Sequence, residues 1–504
     1  MTPAQGELRG PDAVQQLAVE GLQPENGVVD LTARVEYASS DEKVASVDAS
    51  GLVTALGDGK ATVTVRSGSH EQAVAITVKE FGAGRPINFA NQIVPIFTKL
   101  GCNSGGCHGK ASGQNGFKLS LLGFEPTFDY DSLVKEARGR RLFPTAPEQS
   151  LLVLKATGKV PHGGGRRLEL GSHEYRLIAR WIASGMPVGK PDDPSLARIE
   201  VYPGSRVMPR GTHQQMIVTA HYTDGSTEDV TRWAQYQSNE SEVAAVEEGG
   251  QVETRQLSGQ AAIMARYQGQ VAVYRVTVPL GMAINHYPDF PAASFIDTLA
   301  LAHWKALGVV PSDLCTDAEF TRRASIDIVA TLPTAEEVNA FVADTDPAKR
   351  SKLIDRLLER PEYASYFALK WADILRNKRE GRQDFQYATF RFYGWIRDQL
   401  ARNTPYDEFV RAILAANGSP ETTPQVNWFR HLRAPDAFVD DTAQVFLGMR
   451  LQCAKCHHHP FEKWSQDDYY GFAAFFARVG RKPSIVSQRS GRLDEVIYTA
   501  RAGA

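Results

Sequence analysis

The sequence has little that would tie it to a charged or lipid partner. Its formal net charge is −2 over 504 residues, with 56 lysines and arginines against 58 aspartates and glutamates. It has no basic arm of the kind that binds nucleic acid and no basic amphipathic helix for a membrane surface. No apolar run approaches the roughly 18 residues needed to cross a bilayer. We therefore expect a globular chain with no nucleic-acid partner and no membrane span.

Cysteine is also scarce, and its placement is uneven. Four of the five cysteines lie in two short runs, "GCNSGGCHGK" at residues 101–110 and "LQCAKCHHHP" at residues 451–460. Such close pairs are not a disulfide framework and indicate cofactor or metal positions, with Cys315 left over as a buried free thiol. The first ten residues, "MTPAQGELRG", lack the charged and apolar regions of a signal peptide.

The chain contains an internal repeat. The segment "DLTARVEYASSDEKVASVDASGLV", which starts at Asp30, aligns without a gap with "DVTRWAQYQSNESEVAAVEEGGQV", which starts at Asp229. Both copies contain runs that alternate with period two and are separated by Asp-Gly turns, a pattern typical of a small β-sandwich. The first copy resembles the bacterial immunoglobulin-like (Ig-like) domain of group 2. The resemblance implies Ig-like sandwiches at residues 1–82 and 196–281, which serve as spacers or adhesive modules.

Helical patterns fill the other two regions. One apolar stripe in "INFANQIVPIFTKLG" leads directly into Cys102 and consists of Phe89, Ile93, Ile96, Phe97 and Leu100. A second helix is predicted in "SHEYRLIARWIASG", with Ser172 as its capping residue. After residue 285 the helical pattern continues to about residue 480. We predict mainly α-helical domains at residues 85–190 and 288–480, followed by a tail at 481–504.

The second cysteine run carries the pattern for covalent attachment of c-type haem. Cys453, Cys456 and His457 form C-x-x-C-H, in which two thiols reach the vinyl groups and the histidine lies beneath the iron. Cys102, Cys107 and His108 follow the same attachment pattern, with four residues between the two cysteines. We predict two haem c groups, with His108 and His457 as proximal ligands.

Further residues are candidates for the surroundings of each haem. For the opposite axial position of the first iron we favour His162 in "GKVPHGGGRR", with Met186 and His173 as weaker candidates. His431 and His303 are weak candidates for the second iron. Guanidinium groups match carboxylates, so four arginines are candidate contacts for haem propionates: Arg140, Arg141, Arg166 and Arg167.

Two alternatives compete with haem at the cysteine pairs. A zinc ion can be held by cysteine and histidine, and the candidate ligands are Cys453, Cys456, His457 and His459. Cys102 and Cys107 can instead form a local disulfide in an oxidising compartment.

Longer phrases around both pairs resemble planctomycete-type cytochrome c proteins. The first region matches in "CNSGGCHGKASGQNGFKLSLLGFEP" and "WIASGMP", and the second in "EFTRRASIDIVATLPTAEEVNAFV" and "FLGMRLQCAKCHHHPFEKWSQDDYYGFAAFF". The resemblance implies two cytochrome c-like domains that alternate with the Ig-like sandwiches, covalent haem, export to the periplasm or cell surface, and a redox role. It also implies an export signal and a further C-terminal domain, so we expect that this sequence is a fragment.

Three functions remain open from the sequence. The first is a cell-envelope di-haem cytochrome that transfers electrons to or from a redox partner protein. The second is a haem-dependent oxidoreductase for a carbohydrate-like substrate, with Trp371, Asp373, Arg376 and the "HHHPFE" loop as its site. The third is a zinc-stabilised Ig-like protein for adhesion or carbohydrate binding. Whether the protein is an enzyme, and its oligomeric state, are not determined by these patterns.

Overall fold

A computed structural model gives the fold in two compact units. One unit is Met1–Pro311, and the other takes in Ser312–His459 and Trp464–Ala504. The structure describes residues 1–23, 27–82, 87–281, 284, 287–378, 384–457, 459, 462, 464–483 and 495–500. In this part of the chain, no helix is both long and apolar enough to cross a membrane. A β-sandwich N-terminal part and a helical C-terminal part are confirmed.

The first Ig-like domain is a β-sandwich whose strands bury alternate residues. Its strands are β1 (Gln5–Arg9), β2 (Val14–Gln16), β3 (Glu20–Gln23), β4 (Gly27–Asp30), β5 (Glu36–Ser39), β6 (Ala45–Val47), β7 (Leu52–Ala55), β8 (Gly59–Ser67) and β9 (His70–Lys79). They form the sheets β1-β9-β8-β5 and β2-β7-β6 and the hairpin β3-β4. Ala61 and Val63 of β8 are buried and Thr62 between them is exposed, as period two requires.

The second Ig-like domain repeats this arrangement. Its strands are β10 (Leu196–Tyr202), β11 (Ser205–Val207), β12 (His213–Gln215), β13 (Ile217–Tyr222), β14 (Thr227–Asp229), β15 (Gln235–Ser238), β16 (Ala244–Val246), β17 (Gln251–Thr254), β18 (Gly259–Tyr267) and β19 (Gln270–Val278). The sheets are β11-β19-β18-β15, β12-β17-β16 and β10-β13-β14. Tyr37 donates to the Thr32 carbonyl at 2.8 Å, and Tyr236 donates to the Thr231 carbonyl at 2.7 Å. The repeat in sequence is therefore a repeat of specific contacts.

The two Ig-like domains contact each other through equivalent residues. The Gln16 amide donates to Asp229 Oδ2 at 2.6 Å, and the Gln215 amide donates to Asp30 Oδ2 at 2.7 Å. Because Asp30 and Asp229, like Gln16 and Gln215, occupy matching positions of the repeat, each bond is the counterpart of the other. The interface has the self-complementary form of a two-fold dimer within one chain.

A helical insert (residues 87–190) lies between the Ig-like domains in sequence. Its helices are short: α1 (Val94–Lys99), α2 (Pro126–Tyr130), α3 (Leu151–Ala156) and α4 (His173–Ala183). The predicted apolar stripe is buried at Phe89, Ile93, Ile96 and Phe97, and Trp181 of α4 is fully buried against it. Ser172 accepts the Tyr175 amide at 3.1 Å, the predicted cap of α4. The insert also closes on itself, since the Phe89 amide donates to the Val188 carbonyl at 3.3 Å.

The C-terminal region is helical except at its end. Its helices are α5 (Phe295–Leu307), α6 (Asp317–Val329), α7 (Ala335–Ala343), α8 (Lys349–Leu358), α9 (Pro361–Ile374), α10 (Asp384–Ala401), α11 (Tyr406–Leu414), α12 (Pro435–Phe446) and α13 (Gln466–Ala474). The compact second unit starts at Ser312, so α5 belongs to the first unit.

The region predicted as all-helical to residue 480, with a tail after it, ends instead in a strand pair. Strands β20 (Val479–Pro483) and β21 (Glu495–Thr499) pair antiparallel. Ile497 is 4% exposed within the helical core, because the alternation in "EVIYT" places an apolar side chain inward. The rest of the predicted tail, residues 484–494 and 501–504, lies outside the described residues.

Candidate haem site

The loop after α1 is closed by backbone hydrogen bonds. The Cys102 amide donates to the Phe97 carbonyl at 2.8 Å, and the His108 amide donates to the Cys102 carbonyl at 3.0 Å. A side chain at Gly109 would place its Cβ 1.9 Å from the Asn103 carbonyl oxygen, so only glycine fits there. Of the four residues between the cysteines, Asn103 is buried and Gly105 and Gly106 are exposed, while both ends of the loop remain together.

One ring nitrogen of His108 forms a hydrogen bond to the backbone. Its Nδ1 lies 3.0 Å from the Phe117 carbonyl oxygen, which can only accept, so Nδ1 carries the proton. Burial lowers the pKa of His108, which keeps the ring neutral near pH 7. A neutral ring with its proton on Nδ1 has its lone pair on Nε2, the form that binds metals.

His162 is held in the same way. Its Nδ1 lies 2.8 Å from the Gly165 carbonyl oxygen, which again leaves the lone pair on Nε2. The rings of His108 and His162 are 6.3 Å apart between centroids, and their planes differ by 9°. With imidazole–metal bonds of about 2.0 Å and each ring centroid about 1.1 Å beyond its nitrogen, two opposite ligands of one metal lie about 6 Å apart. The separation and the near-parallel planes fit two axial ligands.

A pocket of about 340 Å³ adjoins these two histidines. Its apolar lining comprises Phe97, Phe117, Leu119, Leu151, Leu152 and Ala156. Cys102 and Cys107 also line it, and both are free thiols. Burial raises the pKa of the Cys102 thiol to about 11, so that it stays protonated near neutral pH. The pocket combines an apolar wall, two thiols and two imidazoles, and this donor set fits a covalently held haem.

The four candidate arginines have different surroundings. Arg140 and Arg167 line the pocket and are exposed, although Arg167 Nε also donates to the Gly164 carbonyl at 2.8 Å. Arg166 pairs with Glu169 at 2.7 Å and is not among the lining residues. Arg141 also lines the pocket, but it is 5% exposed and donates to the carbonyls of Ser132 and Gly116, both at 2.8 Å. Its guanidinium is therefore used mainly by the protein's own backbone.

The other axial candidates of the insert have other contacts. The Met186 carbonyl accepts the Tyr130 hydroxyl at 2.8 Å, and Met186 does not line the pocket. His173 packs on Trp233 of the second Ig-like domain with 4.1 Å between the ring centroids. Burial lowers the pKa of His173 to about 4, so it is a neutral packing residue at the domain junction.

The second cysteine run lies in a short 3₁₀ turn, Gln452–Lys455, with a different environment. Cys453 and Cys456 are both exposed, and the His457 amide donates to the Cys453 carbonyl at 3.4 Å. Within the described residues, no group of three or more His, Cys, Asp or Glu side chains could hold a metal ion, and this includes the four candidate zinc ligands. His303 is exposed and His431 is half-buried. His458, Pro460 and Phe461 of the "HHHPFE" loop lie outside the described residues.

The candidate residues of an oxidoreductase site have structural contacts. Trp371 packs on Phe409 with 5.2 Å between ring centroids. Arg376 forms an ion pair with the buried Asp441, which also accepts the indole N–H of Trp428 at 3.0 Å. Asp373 is exposed.

Sequence reasoning missed the residues that hold the histidines. The acceptors for His108 and His162 are backbone carbonyls, and no side-chain pattern in the sequence assigned a role to Phe117 or Lys155, which line the pocket. The one available signal was the glycine cluster after His162, where a Cβ on Gly164 would lie 3.1 Å from the imidazole.

Comparison with known proteins identifies two regions of the chain. A family model described as a protein of unknown function (DUF1549), named PSCyt2, matches residues 295–481, and the bacterial Ig-like domain (group 2) matches residues 10–78. No curated protein matches the chain significantly.

Solved structures of a surface-layer protein, SbsC, show only a weak likeness. Domains 1–6 are 12% identical over 52% of this chain with a TM-score of 0.16, and domains 5–6 are 11% identical over 54% with a TM-score of 0.21. The match covers 23% of the first of these structures and 93% of the second. The two family matches show that residues 295–481 contain a DUF1549 domain and that residues 10–78 contain a bacterial Ig-like domain of group 2.

Proposed function

We propose that the helical insert binds one covalent haem c and transfers electrons. The observation that carries this proposal is the pair His108 and His162, whose near-parallel rings are 6.3 Å apart beside the pocket lined by Cys102 and Cys107. Both rings are fixed by backbone carbonyls with Nε2 available as a ligand.

The residues have separate tasks in this proposal. Cys102 and Cys107 would hold the porphyrin covalently, and His108 and His162 would be the protein ligands of the iron. The haem supplies a one-electron couple, and histidine in place of methionine as the second ligand lowers its potential. With two histidine ligands from the protein, the iron would have no ligand position left for a substrate, so the site would suit electron transfer. Arg140 and Arg167, exposed at the pocket, are the candidate propionate contacts.

We extend the proposal to the second cysteine run. Cys453, Cys456 and His457 keep the attachment spacing, and the DUF1549 match at residues 295–481 includes them. The protein would then carry two haem c groups, on cytochrome c-like domains that alternate with the Ig-like sandwiches. Attachment of haem to cysteines follows export in the proteins that this sequence resembles, so we place the protein in the periplasm or at the cell surface with a redox partner protein.

The test is export of the chain through the cytochrome c maturation system. We expect a purified protein whose mass exceeds that of the polypeptide by one or two haem groups, with a pyridine haemochrome spectrum of haem c. C102A/C107A should lose one haem, and C453A/C456A the other if present, whereas C315A should lose neither. H162A should keep the covalent haem but change from a low-spin to a high-spin spectrum. A bare polypeptide mass, or zinc without iron on metal analysis, would contradict the proposal and favour the zinc-stabilised alternative.

A further inference from the structure

The segment Gly116–Ser120 holds His108 at two points. The Phe117 carbonyl accepts His108 Nδ1 at 3.0 Å, and the Leu119 amide donates to the His108 carbonyl at 2.9 Å. The Phe117 ring also packs on the imidazole, with 4.6 Å between centroids. The position of this short segment therefore sets both the orientation of the ring and the nitrogen that carries the proton.

One end of the segment is fixed by Arg141. This guanidinium donates one hydrogen bond to Gly116 and one to Ser132, each at 2.8 Å to the carbonyl oxygen. It also lies over the Phe117 ring at 4.6 Å from the centroid. A planar guanidinium can hold two carbonyls and stack on an aromatic ring at once, which a lysine ammonium cannot do.

The other end is fixed by Asp129 of α2. Its carboxylate accepts the Ser120 amide at 2.5 Å and the Ser120 hydroxyl at 2.7 Å. Asp129 is 1% exposed, and the Ser120 Oγ also accepts the Glu125 amide at 3.1 Å. Two charged side chains, both almost fully buried, thus hold the two ends of one five-residue segment.

We propose that Arg141 and Asp129 are positioning residues for His108, which act through Gly116–Ser120 to keep its proton on Nδ1 and its Nε2 lone pair free. Burial of a charged group is costly unless it gains strong hydrogen bonds, and each of these two charged groups forms at least one such bond to the segment that holds His108. A bond from Nδ1 to a carbonyl also makes Nε2 a stronger ligand. The inference rests on the proposed function, because a haem ligand is the reason for orienting His108. The hydrogen bonds themselves join only protein atoms.

The test is made on the haem-free full chain, labelled with ¹⁵N in its histidines. Nitrogen chemical shifts report the ratio of the Nδ1–H to the Nε2–H tautomer of His108. R141K keeps the charge but cannot bridge both carbonyls, and D129N keeps the shape but replaces one acceptor oxygen with a donor. We expect each variant to lower the ratio about five-fold, as for one lost hydrogen bond. R138K and D131N are matched controls on neighbouring, less buried residues outside the pocket and should leave the ratio unchanged.

Thermal unfolding and the near-ultraviolet signal of the buried Trp181 establish that each variant is folded. Folded R141K and D129N proteins with the wild-type ratio would overturn the inference. If D129N does not fold, S120A removes only the hydroxyl bond to Asp129 and should shift the ratio in the same direction by less. An unchanged ratio in folded S120A would then remove Asp129 from the proposal. A wild-type protein that never acquires haem would refute the proposed function and leave these tautomer results standing.

Discussion

Asp229 and Asp30 form equivalent hydrogen bonds between the two Ig-like domains, so the effects of replacing each of them can be compared. Asp229 is 6% exposed and accepts the Gln16 amide at 2.6 Å, the Gln15 side chain at 2.8 Å and the Thr231 amide at 2.8 Å. D229A removes three hydrogen bonds and leaves buried donors without a partner. Since each such loss costs about 1–3 kcal/mol before relaxation, we expect a loss of about 3 kcal/mol in the free energy of unfolding.

The matching substitution is D30A. Asp30 accepts the Gln215 amide at 2.7 Å and the Thr32 amide at 2.9 Å, but it is only half-buried, so we expect a loss of about 2 kcal/mol. Because both aspartates brace one interface, the double variant should lose less than the sum of the two. Unfolding in urea, followed by tryptophan fluorescence, measures all three. E71A, which removes an exposed ion pair with Arg66, is the control and should change stability by less than about 0.5 kcal/mol.

Two results would refute this reasoning. If D229A and D30A were no more destabilising than E71A, the interface would contribute nothing to the fold. If the losses in the double variant added fully, the two aspartates would not share one interface.

Three further predictions concern burial. Burial raises the pKa of Asp229 to about 6, above its unfolded value, so the stability of wild type relative to D229N should fall by about 2–3 kcal/mol as pH rises from about 4 to about 7, and a flat difference would contradict this. W233A should expose His173 and raise its pKa from about 4 towards about 6.5 in an NMR titration, whereas W304A should not. I497A should destabilise the second unit by about 2–5 kcal/mol in denaturant, while exposed Tyr498→Ala should cost little, and equal small effects would show that β21 is not part of the core.

The sequence predicts features that depend on neighbours along the chain. The repeat predicted both sandwiches, and the two copies share local contacts. Tyr37 and Tyr236 each donate to a carbonyl five residues earlier in the same domain. Ser172 was recognisable as a cap for the same reason, since its partner is three residues away. His162 was identified from its glycine-rich loop, and its Nδ1 acceptor lies within that loop.

Hydrogen bonds and strand pairs between residues far apart in sequence could not be predicted from a local sequence pattern. The carbonyl acceptors of Arg141, at Gly116 and Ser132, come from separate parts of the insert, so no local pattern could predict these bonds. The bond from Gln215 to Asp30 joins residues far apart in sequence, so the alignment that revealed the repeat could not reveal that its copies pair. Residues 481–504 were predicted as a tail because the two short strands that pair there, Val479–Pro483 and Glu495–Thr499, are not adjacent in sequence.

The contacts of the Ig-like pair argue against a role as a loose spacer. A flexible linker would leave Asp30 and Asp229 in water, whereas here both bind backbone of the opposite domain. The ends of the helical insert also meet, since Asn88 donates to Asp193 at 2.9 Å, so the insert leaves and rejoins the chain at nearly one place. Trp233 of the second Ig-like domain then contacts Lys99, the last residue of α1, just before the loop that carries Cys102. The Ig-like pair is therefore a rigid support that fixes α1, the helix leading into the proposed haem site.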